Sequence, residues 1–241
     1  MKLLLKFCLV VLGALALIVL GAFSWLSFDT QGLPDPQCLS AFAPLTVTKT
    51  SDPCAKSVLI TALPYDSIGP NLRSALSIAE KGEDDPGVFM TYYLELTQHD
   101  PVRGAPLSAL IAKYMCYQSS QTLHRMLDEM RMAVQLERRF SRRELFTIAA
   151  NRMYFGEGKY GVDAASQYFF HKEPSQLSVG EAALLAAQPR APSRFSPSKY
   201  PDEALRRRNQ IIDAMVARHA ISEAEGATAK ANPLAISVEN H

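Results

Sequence analysis

Charge imbalance is the first thing missing from this 241-residue chain: 25 Lys and Arg face 24 Asp and Glu, a formal net charge of +1. No global field argues for nucleic acid as a partner. Histidine is scarce, and His99, His124, His171 and His219 lie in polar surroundings without metal-ligand spacing to one another or to the cysteines, so they read as surface and no resident metal site is expected. There are four cysteines in all. Cys116 follows Tyr114-Met115 in an apolar helical run, where it reads as a core residue and not as a nucleophile. Internal repeats and low-complexity tracts are absent, and no strongly alternating strand pattern occurs after residue 66. What these absences leave is one mainly helical domain of about 150–200 residues with an appendage.

The appendage is N-terminal. Residues 7–28 carry no charge, and as a helix they reach about 33 Å, enough to cross a bilayer core of about 30 Å. Lys2 and Lys6 precede the run, which places the N-terminus in the cytoplasm, and Phe23, Trp25 and Phe28 lie at the far end, where aromatic side chains favour the interface. The run is longer than a signal-peptide core and no clear small-x-small cleavage site follows it. Residues 1–28 are thus expected to form a cytoplasmic tip and an uncleaved transmembrane anchor, with Cys8 inside the span and the rest of the chain extracytoplasmic. Residues 29–65, with turn-forming Pro, Gly and Asp, read as a stalk or small cap. Cys38 and Cys54 fall there, where a disulfide persists and would stabilise by about 3 kcal/mol on a chain-entropy argument; their spacing alone does not establish the bridge.

From Pro70 the pattern turns helical. Pro70 suits a first turn, Leu72, Ala75, Leu76 and Ala79 fall at i, i+3, i+4 and i+7, and Gly82 is placed as a C-terminal cap. Capping boxes open three later helices: Ser141-x-x-Glu144, Ser178-x-x-Glu181 and Ser222-x-x-Glu225. Leu123, Leu127, Met130 and Val134 make a further stripe. Residues 103–143 hold eight basic side chains (Arg103, Lys113, Arg125, Arg131, Arg138, Arg139, Arg142, Arg143) against Asp128, Glu129 and Glu137. That local excess suits an anionic ligand or lipid headgroups, or equally a solvated helix face.

Gly156, Gly158 and Gly161 form a Gly-x-Gly-x-x-Gly pattern. As a dinucleotide fingerprint it needs a buried strand before it; Leu145, Ile148, Ala149 and Met153 instead show helical spacing, so a tight connector between helices is expected. The stretch around it is more telling. Asn151, Phe155-Gly156, Tyr160-Gly161-Val162, Tyr168-Phe169, Glu181 to Ala186 and Pro189 to Pro197 match, in order and spacing, the last motif segment of the family 51 peptidoglycan glycosyltransferases, the transglycosylase domains of penicillin-binding proteins and their monofunctional relatives. Over residues 66–235 the chain resembles that family. The resemblance implies a two-lobed, lysozyme-like glycosyltransferase domain behind a single transmembrane helix of the inner (cytoplasmic) membrane, with the domain in the periplasm.

The resemblance also distributes roles. Gly69 to Glu80 looks like the family's opening helix, whose closing Glu is the catalytic base. On composition Glu80 is a plain surface residue; as a helix-terminal carboxylate past an apolar stripe it is partly desolvated and near the negative end of a helix dipole, and both effects suit it to accept a proton near neutral pH. Lys81 replaces the family's Asp, and Glu83-Asp84 is an alternative pair that lacks the preceding helix. Arg103 to Tyr114 aligns with the second motif, keeping Gly104, Ser108, Ala112 and Lys113 while Ala105, Pro106, Ala109 and Leu110 replace polar residues. Arg125-Met-Leu-Asp-Glu129 aligns with the third; Arg125 and Glu129 share a helix face at i, i+4, which alone is an ordinary ion-pair spacing. The resemblance makes Glu80 and Glu129 catalytic, with Lys113 and Arg125 on the pyrophosphate and Gly104, Ser108 and Asn151 in substrate binding. A divalent cation, magnesium or manganese, is an optional helper.

The implied reaction is polymerisation of lipid II into glycan strands with release of undecaprenyl pyrophosphate. Lipid II, the nascent strand, the membrane and other cell-wall synthesis proteins are the implied partners. Because polar positions of the first three motifs have changed, a catalytically impaired relative that binds glycan or partner proteins is the alternative. A lytic glycan hydrolase would have no need of Arg125 or Lys113.

Overall fold

The computed structural model describes residues 62–80, 106–112 and 123–233, with side chains from 128 onward in the last stretch, and positions 13, 17, 20, 21 and 24, which are helical and exposed. Most of the expected anchor, the Cys38–Cys54 pair, Gly82, Glu83, Gly104, Lys113 and Cys116 lie outside the described residues. Among those described, no helix is long and apolar enough to cross a membrane. The described residues form eight α-helices: α1 (Pro70–Ala79), α2 (Leu107–Ile111), α3 (Leu123–Arg139), α4 (Arg142–Arg152), α5 (Val162–Phe170), α6 (Val179–Ala187), α7 (Pro201–Ala217) and α8 (Glu223–Ala231). Two 3₁₀ turns join them, Tyr65–Ser67 and Pro174–Gln176, and the one β feature among the described residues is an isolated antiparallel bridge between Tyr154 and Tyr160. The mainly helical architecture is as expected.

The core is organised around α6. Ala182 to Ala187 are all buried, and a helix that is apolar all round belongs inside. It packs against α1 and α7, which also touch each other, while α8 closes the far side on α7 and α6. A second group, α2 against α3 and α4, joins the same contiguous core through Leu107, Leu110, Ile111, Met132 and Leu136. Of the stripe expected on α3, Met130 and Val134 have described side chains. Val134 is buried and Met130 is half-buried, but the innermost α3 side chains are Met132, Ala133 and Leu136. The helix contacts both α2 and α4, so its buried face is wider than a single stripe.

All three expected capping boxes form. Each serine hydroxyl accepts from the backbone N–H three residues on, and the glutamate returns to the serine N–H, at Ser141–Glu144, Ser178–Glu181 and Ser222–Glu225. Burial pushes the Glu181 carboxyl up, but hydrogen bonds from Lys172 Nζ (2.7 Å) and from the Ser178 N–H and hydroxyl (2.9 and 2.8 Å) outweigh it and hold the group below the usual range. A folded-state pKa depressed in this way contributes stability above the unfolded value, which is lost as pH falls through the folded one. Lys172→Met is therefore expected to lower Tm by about 1–3 °C at pH 7, a difference that vanishes once thermal melts are run below the range where Glu181 is ionised.

The connector 153–161 is a tight turn between α4 and α5, as its glycines predict. Gly156, Gly158 and Gly161 have φ of 88°, 74° and 81°, and Glu157 between them is also left-handed at 48°. Its carboxylate accepts from Ser196 Oγ at 3.1 Å and lies 3.5 Å from Lys199 Nζ, tying the turn to the segment after α6. Gln188 Nε2 donates to Phe195 O at 2.7 Å and holds that segment in place. On α7, Arg206 pairs with Glu203 at the surface, whereas Arg208 is buried and donates to Lys230 O and Asn232 O, both at 3.0 Å. It thereby satisfies carbonyls at the end of α8.

Candidate active site

The site expected from the sequence begins with α1, which is pinned at its start. Pro70 occupies the first turn and Gly69 precedes it. A Cβ on Gly69 would sit 2.7 Å from Ser175 Cα and 2.9 Å from the carbonyl oxygens of Pro174 and Ser175. The residue is therefore glycine for closeness to the 3₁₀ turn. Asn71 Nδ2 donates to Leu177 O at 2.9 Å on the same side. Gly69→Ala must move backbone, and we expect a loss of about 1–3 kcal/mol, read by chemical denaturation.

From that anchored start, Leu72, Ala75, Leu76, Ile78 and Ala79 are buried between α6 and α7. Glu80 follows as the C-terminal cap residue, its N–H donating to Leu76 O at 2.9 Å. It is 1% exposed. The sequence predicts partial desolvation there; enclosure is nearly complete, because the helix packs on two neighbours to its last turn. A carboxylate at a defined helix end, held by a rigid and buried backbone, is the arrangement a positioned general base requires.

The second group of helices carries the other candidates. Every residue of α2 is buried. Ser108, 1% exposed, donates its hydroxyl to Glu137 Oε1 on α3 at 2.8 Å. Glu129 lies half-buried on α3, two turns before Glu137, and the Arg125 backbone is one turn earlier again in the same helix, so 125, 129 and Ser108's partner fall along one side of α3. Between them is a pair the sequence reading did not single out: Arg131 is 4% exposed and lies 3.2 Å from Asp128 Oδ1. Its i, i+3 spacing was the available signal. The Ser108–Glu137 link spans 29 residues and had none.

Asn151 has a different setting. It is 2% exposed. Its Oδ1 accepts from Leu63 N at 2.7 Å, and its Nδ2 donates to Leu63 O and Thr147 O at 2.8 and 2.9 Å. The amide thus clamps the segment leading into the domain onto α4, where Tyr65 also packs edge-on against Phe146. In the ligand-free chain one acceptor and two donor bonds of the side chain are committed to the scaffold. Leu63 and Tyr65 pack against the core, ahead of the expected boundary at 66.

The described residues hold no group of three His, Cys, Asp or Glu placed for a metal ion; donors for magnesium or manganese would come from a substrate pyrophosphate or from residues outside those described. A cavity of about 600 Å³ is lined by Phe170, Val179, Leu184, Thr228, Ala229 and neighbouring residues. Its lining includes neither Glu80 nor Glu129, and its wall is mainly apolar. It lies away from the candidate chemistry, and the site is assigned from the placement of Glu80, not from cavity size.

Residues 58–216 match the family model described as Transglycosylase. Penicillin-binding protein 1A of Aquifex aeolicus is 30% identical, with 98% of this chain and 34% of that protein covered. Penicillin-binding protein 1F of Bacillus subtilis is 36% identical over 66% of this chain and 22% of its own length. The chain thus spans about a third or less of these relatives. The crystal structure of penicillin-binding protein 1A from Haemophilus influenzae covers 56% of this chain and 17% of its own at 25% identity, with a TM-score of 0.37.

Proposed function

The chain belongs to the transglycosylase family, and from that premise we propose that it is a membrane-anchored peptidoglycan glycosyltransferase that polymerises lipid II. The observation that carries the reading is Glu80, an acid enclosed at the tip of a helix whose first turn and flanks are fixed by packing. Glu80 takes the proton from the 4-hydroxyl of one lipid-linked disaccharide. That oxygen bonds to the anomeric carbon of a second, the carbon–pyrophosphate bond breaks, and undecaprenyl pyrophosphate leaves with inversion. Negative charge grows on the leaving group, so fixed cations are the main electrostatic demand. Lys113 and Arg125 are assigned that part, with Glu129 orienting them or the acceptor sugar. Gly104 and Ser108 shape the bed of the substrate, Ser108 through a hydroxyl whose direction Glu137 sets.

On this reading the fold is the two-lobed lysozyme-like one, residues 1–28 hold the domain at the outer face of the inner membrane, and the stalk 29–65 sets its height. An anchored site meets lipid-linked substrates in the plane where they lie. The catalytically impaired binding protein is favoured by one observation: the hydroxyl of Ser108 and the amide of Asn151 are both engaged within the protein. Full-length protein in vesicles containing lipid II decides. Glycan strands support the transferase; no product under any buffer or cation, with retained binding of preformed strands, supports the alternative.

A further inference from the structure

The shortest α-helix among the described residues, α2, has five residues, all of them buried. A helix of that length has little stability of its own, so its place is set by what surrounds it. It lies against α3 and α4. Ala109 packs with Ala133 and Val134, while Leu107, Leu110 and Ile111 enter the main core. Apolar contact of this kind is non-directional: it fixes how deep α2 sits and leaves a small slide along α3 cheap, the more so where the touching side chains are alanines.

The Ser108 hydroxyl on Glu137 Oε1 is directional, 2.8 Å long, with a preferred angle as well as a length. Its serine is 1% exposed and its carboxylate half-buried, a setting in which a hydrogen bond to a carboxylate is among the stronger kinds. Ser108 meets Glu137 while its neighbour Ala109 packs one turn nearer Glu129, at Ala133 and Val134. The two helices so joined are those on which the candidate cations depend: Lys113 directly follows Ala112 at the end of α2, and α3 carries Arg125 and Glu129. Glu137 itself lies about 12 Å along the helix axis from Glu129, so it acts on the chemistry through α2 and not by contact. We propose that Glu137 is a positioning residue for glycosyl transfer: by taking the Ser108 hydroxyl it fixes the register of α2 on α3, and with it the spacing of the groups that hold the pyrophosphate. Ser108 serves the bed of the substrate as a strut, its proton spent on Glu137. The proposal rests on the transferase reading above.

Full-length protein in lipid nanodiscs, supplied with lipid II carrying a fluorophore on its stem peptide, gives KM and kcat for strand synthesis and Kd for lipid II from one preparation. Ser108→Ala and Glu137→Ala are each expected to raise KM and Kd about tenfold, with kcat within about threefold of the parent. The double variant is expected to be no worse than the worse single, because both changes remove one bond. Glu137→Gln keeps an acceptor for the hydroxyl and is expected to recover most of the loss. Lys172→Met, which weakens a tie on other elements, is expected to lower Tm and leave KM alone, so that lost stability by itself does not give the pattern. Losses that multiply in the double variant overturn the inference. So do parent KM and Kd in Ser108→Ala, or a Glu137→Gln variant as impaired as Glu137→Ala. A parent that binds lipid II but makes no strands counts against the transferase reading alone, since the Kd values still show whether 108 and 137 act as one.

Discussion

Polymerisation of lipid II by the Glu80→Gln variant is expected to fall about 10²–10⁴-fold below the parent, equivalent to about 3–5 kcal/mol of lost transition-state stabilisation. The substitution keeps the shape of the side chain and removes its charge and its ability to take a proton. Glu80 is 1% exposed, so the near-isosteric amide keeps the packing around it, and a folded variant is checked by its cooperative thermal melt. That combination separates a catalytic loss from an unfolded protein. A variant that still makes strands at the parent rate rejects Glu80 as the base and transfers attention to Glu83→Gln. Glu129→Gln is the companion measurement: as an orienting residue it should raise KM more than Glu80→Gln does, with kcat less affected.

The second large effect is on stability. Asn151→Ala is expected to cost about 2–3 kcal/mol, because it strands the part-buried N–H and C=O of Leu63 and opens a small void on α4. A fall in Tm of about 5–15 °C follows. Protein that remains folded at low temperature should show near-parent KM for lipid II. Unchanged Tm with a raised KM would instead support the substrate-binding role that the motif implies for Asn151. The clamp joins residues 88 apart, so its loss should also release Tyr65 from Phe146, visible as faster amide exchange around Leu63.

Much of the frame was legible because its signals are local. A capping box needs only four residues, and all three formed; the stripe of α1 and the glycine turn likewise depend on neighbours in the chain. Partners distant in sequence were not legible. Nothing near Ser108 announces Glu137, and nothing near Asn151 announces Leu63, so the motifs that imply substrate binding for both carry no sign of these bonds. The sequence puts Glu80 at a helix end with partial desolvation, and its near-complete enclosure is not legible because the number of helices packed around α1 cannot be read from its own residues. On α3 the described members of the stripe, Met130 and Val134, are half-buried and buried, while Met132, Ala133 and Leu136 widen the buried face because the helix has two neighbours. For Lys113, Gly104 and the side chain of Arg125 the sequence remains the source of the assignment.

The alanines of α6 have a further consequence. Where a methyl group is the largest thing between two backbones, the distance between helices is set by the main chain, and any bulkier residue pushes two neighbours apart at once. Such a joint is sensitive to size and indifferent to chemistry. The candidate base Glu80 and the α3 residues Arg125 and Glu129 sit on other elements, so their exchange leaves this joint untouched. A protein built this way can change or even surrender its reaction and still keep its shape.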